Sequence, residues 1–346
     1  MKFLSSPFDV VLGVTNKCNF SCKHCLAGTS LKSDDDLTRQ ELFSLIDQLV
    51  EAKVFRICIF GGEPFIRADI FDILDYVHEK PVGISLNTNA TLITPAKAMR
   101  LAGYRKLTGI IVSFDADRPD EMDEMRGPGA YQTALAGIEN LLQHEKFVVT
   151  LSCTVTKLNY SRILETAALA RKLGVQVRFN SVFFGGNAQC NIRDLMLTPE
   201  EQRRALSLVR EAVHTYGNMI SGSYVQSLGI IESLDRAVVA DAESICVSPC
   251  GAATKKCCIS ADGWVTPCEL IWDVKAGNIK EETFTHIWND SLVMNQFRKS
   301  FDFSLKDRPR CIPCRYKRYC YQGHRCMPYC FSENPDLKYA NCIVPQ

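Results

Sequence analysis

Through roughly the first 215 residues, short apolar runs rich in β-branched side chains alternate with stretches whose apolar positions recur every three or four residues. The runs at 8–14 (FDVVLGV), 54–60 (VFRICIF), 82–87 (VGISLN), 109–114 (GIIVSF), 147–155 (FVVTLSCTV) and 175–180 (VQVRFN) predict strands. Between them the period becomes helical. Over 38–52, Leu42, Leu45, Ile46 and Leu49 fall on one stripe, and Thr38 with Glu41 forms a capping-box start. The same period returns at 69–79, 95–102, 131–144, 161–173 and 199–215. Six β–α units in succession predict an α/β fold with parallel strands, right-handed crossovers and helices outside. Such units either curve into an open barrel or lie flat as a doubly wound sheet, and periodicity does not choose between them.

After about residue 220 the pattern changes. A connector over 221–249, helical at 224–243, leads into a segment, 250–346, that is dense in turns and cysteine and sparse in strand or helix signals. That segment has too little apolar periodicity to fold around its own core, so metals or clusters are expected to hold it together. No internal repeat or low-complexity linker interrupts the chain.

Charge and length exclude more than they identify. The 346 residues carry 40 Lys and Arg against 39 Asp and Glu, which gives no reason to expect a nucleic-acid or membrane surface as the main partner. No apolar run is long enough for a transmembrane helix, and MKFLSSPFDVVLGV reads as an opening strand rather than a signal peptide. A soluble, cytoplasmic protein is expected, weakly a monomer.

Cysteine changes the picture. There are 17, an odd number in a long chain with ample apolar core, which points to metal ligation in a reducing compartment rather than a disulfide scaffold. Three lie within 18–25 and eleven from Cys246 onward. Cys58, Cys153 and Cys190 lie between and are expected to be small buried apolar residues.

The first group, Cys18-Asn-Phe-Ser-Cys22-Lys-His-Cys25, follows the first strand on a loop at its C-terminal end, the edge where α/β layers place chemistry. Three thiolates hold three irons of a [4Fe–4S] cubane and leave the fourth open to a ligand. The alternative is zinc held by the three cysteines and His24, which is strained because adjacent His24 and Cys25 do not easily aim at one ion.

This CxxxCxxC segment resembles the signature of the radical S-adenosylmethionine superfamily. Gly61-Gly62-Glu63-Pro64, ending the second strand, resembles that superfamily's GGEP segment, and the two motifs occur in the family order. Glycines lacking Cβ let a ligand approach a strand-end backbone. The resemblance implies that the backbone of Gly61, Gly62 and Glu63 binds the ammonium of S-adenosylmethionine. It extends to Asn89 in LNTNA, and to Ser113 and Arg126 as contacts to the cofactor's ribose or carboxylate. Where the family often has SLDG, this chain has Ser113-Phe114-Asp115-Ala116. The implied fold is a partial (β/α)6 TIM-like barrel over 1–220. The implied chemistry is reductive cleavage of S-adenosylmethionine at the open iron, giving a 5′-deoxyadenosyl radical that abstracts hydrogen from the substrate.

The C-terminal cysteines resemble the SPASM domain, an extension that binds two auxiliary iron–sulfur clusters, expected as [4Fe–4S]. Gly263-x4-Cys268, Cys311-x2-Cys314-x5-Cys320, and Gly277-Asn278-Ile279 followed by a helix with Ile287-Trp288 match its pattern. By that resemblance Cys250, Cys257, Cys268 and Cys326 hold one cluster, and Cys311, Cys314, Cys320 and Cys342 the other. His324 stands where the family has the cysteine replaced here by Cys326, and is the alternative ligand; Cys246, Cys258 and Cys330 are spare. A zinc knuckle from Cys311, Cys314, Cys320 and His324 is the competing reading by spacing. Glu269, beside Cys268, is a candidate base by likeness to sulfatase-maturing members, against a plain surface glutamate.

The overall similarity is to mycofactocin- and pyrroloquinoline-quinone-type maturases, which implies a ribosomally made peptide as substrate, altered by crosslinking, decarboxylation or a related oxidation. A small molecule such as an amino sugar, nucleoside or tetrapyrrole is the alternative, and a non-catalytic cluster or zinc protein a second. A flavodoxin or ferredoxin reductant is expected. Because the chain starts almost at the barrel, a fused peptide-recognition domain is not expected, and a separate leader-peptide-binding protein is.

Overall fold

A computed structural model describes residues 4–28, 34–183, 185–239 and 251–299. Six parallel strands form its centre: β1 (Asp9–Gly13), β2 (Arg56–Phe60), β3 (Gly83–Thr88), β4 (Leu107–Ser113), β5 (Val148–Val155) and β6 (Gln176–Ser181). The helices between them are α1 (Arg39–Glu51), α2 (Ile70–Glu79), α3 (Pro95–Gly103), α4 (Pro119–Arg126), α5 (Ala130–Leu142) and α6 (Ile163–Leu173). After β6 come α7 (Gly186–Cys190), α8 (Ile192–Leu195), α9 (Pro199–Tyr216), β7 (Ile220–Ser221) and α10 (Ser223–Val239). The C-terminal part adds β8 (Lys256–Ile259), β9 (Trp264–Thr266), β10 (Gly277–Asn278), α11 (Phe284–Asp290) and α12 (Leu292–Lys299).

The strand order, β10-β9-β8-β1-β2-β3-β4-β5-β6-β7, settles the question that periodicity left open. From β1 to β7 each strand lies beside its predecessor, so every crossover advances the same way. A doubly wound sheet reverses its order at a switch point. An unreversed order puts every helix on one face, and the sheet curls into an open barrel.

The core follows from alternation along the strands. Val10, Leu12, Ile57, Ile59, Ile84, Leu86, Ile110 and Val112 are at or below 1% exposed and meet the helix stripes on the outer face. On α1, Leu42, Leu45, Ile46 and Leu49 are fully buried, each side chain contributing about 1.5–3 kcal/mol relative to exposure. The predicted capping box is present: Glu41 N–H donates to Thr38 Oγ1 at 3.3 Å, and Thr38 N–H donates to Glu41 Oε2 at 2.8 Å.

One expectation is corrected. Residues 251–299 do not depend on clusters alone, because β8 pairs in parallel with β1 and extends the barrel sheet. Phe284, Ile287, Trp288 and Met294 are fully buried in the same core as the barrel residues. The apolar complement for these side chains lies on α1 and β1, far away in sequence, so local periodicity did not reveal it. Among the described residues, no helix is long and apolar enough to cross a membrane.

Candidate active site and metal centre

All the strand ends that carry the predicted chemistry lie on one edge of the barrel. The loop after β1 holds Cys18, Cys22 and Cys25, and these three thiols are free. Two neighbouring loops fix its path. From β2, the N–H of Gly62 donates to Thr15 O at 2.7 Å, and the N–H of Glu63 to Lys17 O at 2.8 Å. From the segment after β6, Asn187 N–H donates to Cys25 O at 2.9 Å and its side-chain amide to Cys22 O at 3.0 Å. Asn191 Nδ2 reaches Lys23 O at 3.2 Å.

Gly61 and Gly62 are required by this packing. A Cβ on Gly61, at φ +152°, would meet Thr15 O at 2.4 Å, and one on Gly62 would meet Lys17 O at 2.0 Å. The expectation that these glycines admit a ligand is thereby extended: they first admit the backbone of the cysteine loop. Glu63 also does structural service, since its buried carboxylate accepts from Thr88 Oγ1 (2.8 Å), Asn89 N (2.7 Å) and Phe65 N (3.2 Å). Burial pushes its pKa up, against those hydrogen bonds. Asn89 donates through Nδ2 to Asn19 Oδ1 at 2.8 Å, tying the loop after β3 to the cysteine loop.

Beneath the cysteines lies a buried charge cluster. Asp115, just beyond β4, is 0% exposed, and Arg126, the last residue of α4, is 8% exposed. Arg126 Nε lies 2.6 Å from Asp115 Oδ2, an ionic contact whose N–H is not aligned for a hydrogen bond. Its Nη2 lies 3.3 Å from His24 Nε2, and its Nη1 donates to Cys22 Sγ at 3.8 Å. Burial lowers the His24 pKa to about 4, so the ring is neutral at physiological pH. Burial pushes the Cys22 thiol up to about 11, with Arg126 opposing. For Arg126, burial opposes the charge, but Asp115 and the Cys22 sulfur outweigh it and hold it ionised.

The donor set fits a cubane with one open iron. Cys18, Cys22 and Cys25 influence one another electrostatically, while His24 Nε2 faces Arg126 and Asp115. Among the described residues no three ligating side chains converge on a single ion. A cubane does not ask for that, because each thiolate binds a different iron.

Ser113 ends β4 opposite Ser152 of β5, on the inner face. There Ser152 Oγ accepts from Asn180 Nδ2 at 3.2 Å, so a polar ridge crosses three strands. Glu269 pairs at 2.6 Å with Lys256, the first residue of β8 and in register with Asp9 at the start of β1; its Oε2 is buried without a hydrogen-bond partner, and its charge is felt by Cys58 of β2. At the end of β2, the Phe60 ring lies with its centroid 6.0 Å from that of Trp272. Sequence reasoning missed Ser152, Asn180, Lys256 and Asn187, whose roles depend on register between distant strands.

The three isolated cysteines differ. Cys153 is buried as expected and Cys58 is half-buried on the inner wall, but Cys190 is exposed, because it ends the short surface helix α7. Cys257, Cys258 and Cys268 are buried. Consecutive strand residues face opposite ways. Cys257 lies in register with Val10 and beside Arg298, whereas Cys258 lies in register with Val11 and feels Cys268. Cys246, Cys250, Cys311, Cys314, Cys320, His324, Cys326, Cys330 and Cys342 lie outside the described residues.

Residues 12–170 match the family described as the Radical SAM superfamily. A radical SAM domain therefore spans that part of the chain. Residues 250–321 match SPASM, an iron–sulfur cluster-binding domain. This radical SAM enzyme therefore uses S-adenosylmethionine and a [4Fe–4S] cluster, with further iron–sulfur binding in its C-terminal part. An AdoMet-dependent heme synthase of Methanosarcina barkeri is 29% identical, over 91% of this chain and 90% of that protein. The mycofactocin maturase MftC of Mycolicibacterium smegmatis is 28% identical, over 92% and 78%. Among solved structures, Streptococcus suis SuiB bound to its precursor peptide SuiA superposes with a TM-score of 0.74 at 16% identity, over 96% of this chain and 75% of that one. Native anSMEcpe with bound AdoMet gives 0.68 at 18%, over 92% and 89%. These likenesses in structure confirm the fold.

Proposed function

We propose that this radical SAM enzyme modifies a ribosomally made peptide by crosslinking, decarboxylation or a related oxidation. The observation that carries the reading is the inner wall of the barrel, which carries the Ser113–Ser152–Asn180 ridge and Glu269 held by Lys256, with the cysteine loop at the rim. The similarity to mycofactocin maturase over 92% of the chain supports a peptide. When bound, the cluster and S-adenosylmethionine supply the radical that abstracts hydrogen from an unactivated C–H bond.

The chain's own residues do the rest. Cys18, Cys22 and Cys25 hold the cluster, and the backbone of Gly61, Gly62 and Glu63 with Asn89 and Ser113 forms the wall for S-adenosylmethionine. Glu269 takes the proton released as the substrate is oxidised, with Lys256 orienting its carboxylate. In the C-terminal part, Cys250, Cys257, Cys268 and Cys326 hold one auxiliary cluster, and Cys311, Cys314, Cys320 and Cys342 a second, which together accept the substrate-derived electron. A flavodoxin or ferredoxin supplies the reducing electron, and a separate small protein presents the peptide leader, in the cytoplasm. The second reading is a tetrapyrrole substrate, favoured by the similarity to heme synthase.

The test is anaerobic reconstitution, iron and sulfide counting, and dithionite-dependent formation of 5′-deoxyadenosine, with Cys18, Cys22 and Cys25 changed to Ala as control. About twelve irons, with cleavage lost in the control, are expected for three cubanes. Bound zinc without 5′-deoxyadenosine sinks the reading. Incubation with peptides encoded beside the gene, and separately with iron-coproporphyrin, then distinguishes the substrates by mass change.

A further inference from the structure

Resemblance gives Arg126 to the ribose or carboxylate of S-adenosylmethionine, and its place in the structure points to a second role beside that one. Each of the three guanidinium nitrogens already faces a partner: Nε faces Asp115, Nη2 faces His24 and Nη1 faces Cys22 Sγ. Only 8% of the residue meets solvent. The helix that delivers it is fixed to the cysteine loop as well, since Lys23 N–H donates to Met125 O at 2.8 Å and Lys23 Nζ pairs with Glu124 at 3.0 Å. Asp115 is itself immobilised, because its Oδ1 accepts from Thr154 N at 2.8 Å. A buried ion pair whose far side meets a cluster-ligating sulfur is positioned to act on the cluster electrostatically.

We propose that Arg126, anchored by Asp115, donates a charge-assisted hydrogen bond to the Cys22 sulfur and thereby sets the reduction potential of the N-terminal cluster. The proposal rests on the reading that Cys18, Cys22 and Cys25 hold that cluster. Reduction adds negative charge to the cluster and its sulfurs. A donor and positive charge at Cys22 favour the reduced state, and hydrogen bonds to sulfur are among the determinants of such potentials. Asp115 is a positioning residue that also contributes an opposing negative charge, closer to Arg126 than to the sulfur. The two residues therefore pull the potential in opposite directions, whereas loss of a merely structural contact has no reason to do so.

The experiment is an EPR-monitored redox titration of the reconstituted full-length protein, following the signal that is absent from the Cys18, Cys22 and Cys25→Ala triple variant. Arg126→Gln is expected to make the cluster at least tenfold harder to reduce, which is about 59 mV for a one-electron couple. Asp115→Asn, whose remaining Oδ1 still accepts from Thr154 N, is expected to shift the potential the other way. Should Arg126→Gln lose iron, Arg126→Lys retains the charge without the planar fork, and a smaller downward shift is expected. An unchanged potential in the iron-replete Arg variant, with a raised KM for S-adenosylmethionine, leaves Arg126 with cofactor binding alone and overturns the proposal. A wild-type protein that lacks the N-terminal signal overturns the underlying reading as well, and so separates the two failures.

Discussion

The Cβ that Gly62 lacks would stand 2.0 Å from the carbonyl oxygen of Lys17, the residue immediately before Cys18. The GGEP segment is thus a mould for the cysteine loop, whose carbonyls at Thr15 and Lys17 accept the N–H groups of Gly62 and Glu63. A side chain here displaces the backbone that aims Cys18. Gly62→Ala is expected to lower bound iron from about twelve to about eight per chain by losing the N-terminal cluster alone. Iron analysis with EPR checks this, and full iron content in the variant contradicts it.

Glu63 gives a prediction with a sign in pH. Its buried carboxylate accepts three donors, and Glu63→Gln, which turns an amide NH2 toward at least one of them, is expected to cost about 1–3 kcal/mol, seen as a melting temperature lower by a few degrees. Burial raises its pKa from the ordinary 4.5. The folded chain then keeps this proton to higher pH than the unfolded chain does, so its contribution to stability falls as pH rises from 4.5 through the raised value. The glutamine variant lacks that slope. The gap in melting temperature between wild type and variant should therefore widen on acidification toward 4.5, and a gap that narrows refutes the assignment.

How much of this was legible beforehand depended on where the information lies along the chain. The six strands and the helix stripes were readable because burial on one face imposes a local period, and Thr38 with Glu41 marked a helix start that is present. Helix α4 was missed, because PDEMDEMR offers only Met122 and Met125 as apolar positions, and α4 is what delivers Arg126. The parallel pairing of β8 with β1 spans most of the chain and leaves no local trace. The same holds for Asp115, which the sequence presented only as part of a motif with its glycine replaced, and which the fold buries against His24 and Arg126.

The two adjacent cysteines of β8 can be separated experimentally because a strand sends them to opposite faces. Cys257 shares the barrel core with Cys268; burial pushes its thiol up, and Arg298 beside it opposes that. Cys258 lies across from Thr266 and feels Cys268. Cys257→Ala is expected to lose about four irons and Cys258→Ala none, by iron and sulfide analysis of the reconstituted proteins. The reverse result transfers the ligand role to Cys258.

Glu269 separates cofactor chemistry from substrate chemistry. It stands on the inner wall within the fields of Cys58 and Cys258, pairs with Lys256 at 2.6 Å, and keeps one buried oxygen without a hydrogen-bond partner. A carboxylate held in that way has an oxygen available for a substrate proton, while its lysine partner fixes its direction. Glu269→Gln keeps the size and a donor–acceptor head but removes the basic site. It is expected to retain iron and to cleave S-adenosylmethionine, while product formation falls by about 10²–10⁴-fold, the usual range for losing a positioned base. Lys256→Met, which leaves Glu269 unanchored, is expected to give a smaller fall in the same product assay. If both variants turn over substrate at the wild-type rate, Glu269 is a solvated glutamate on the cavity wall, and the proton must leave by another group.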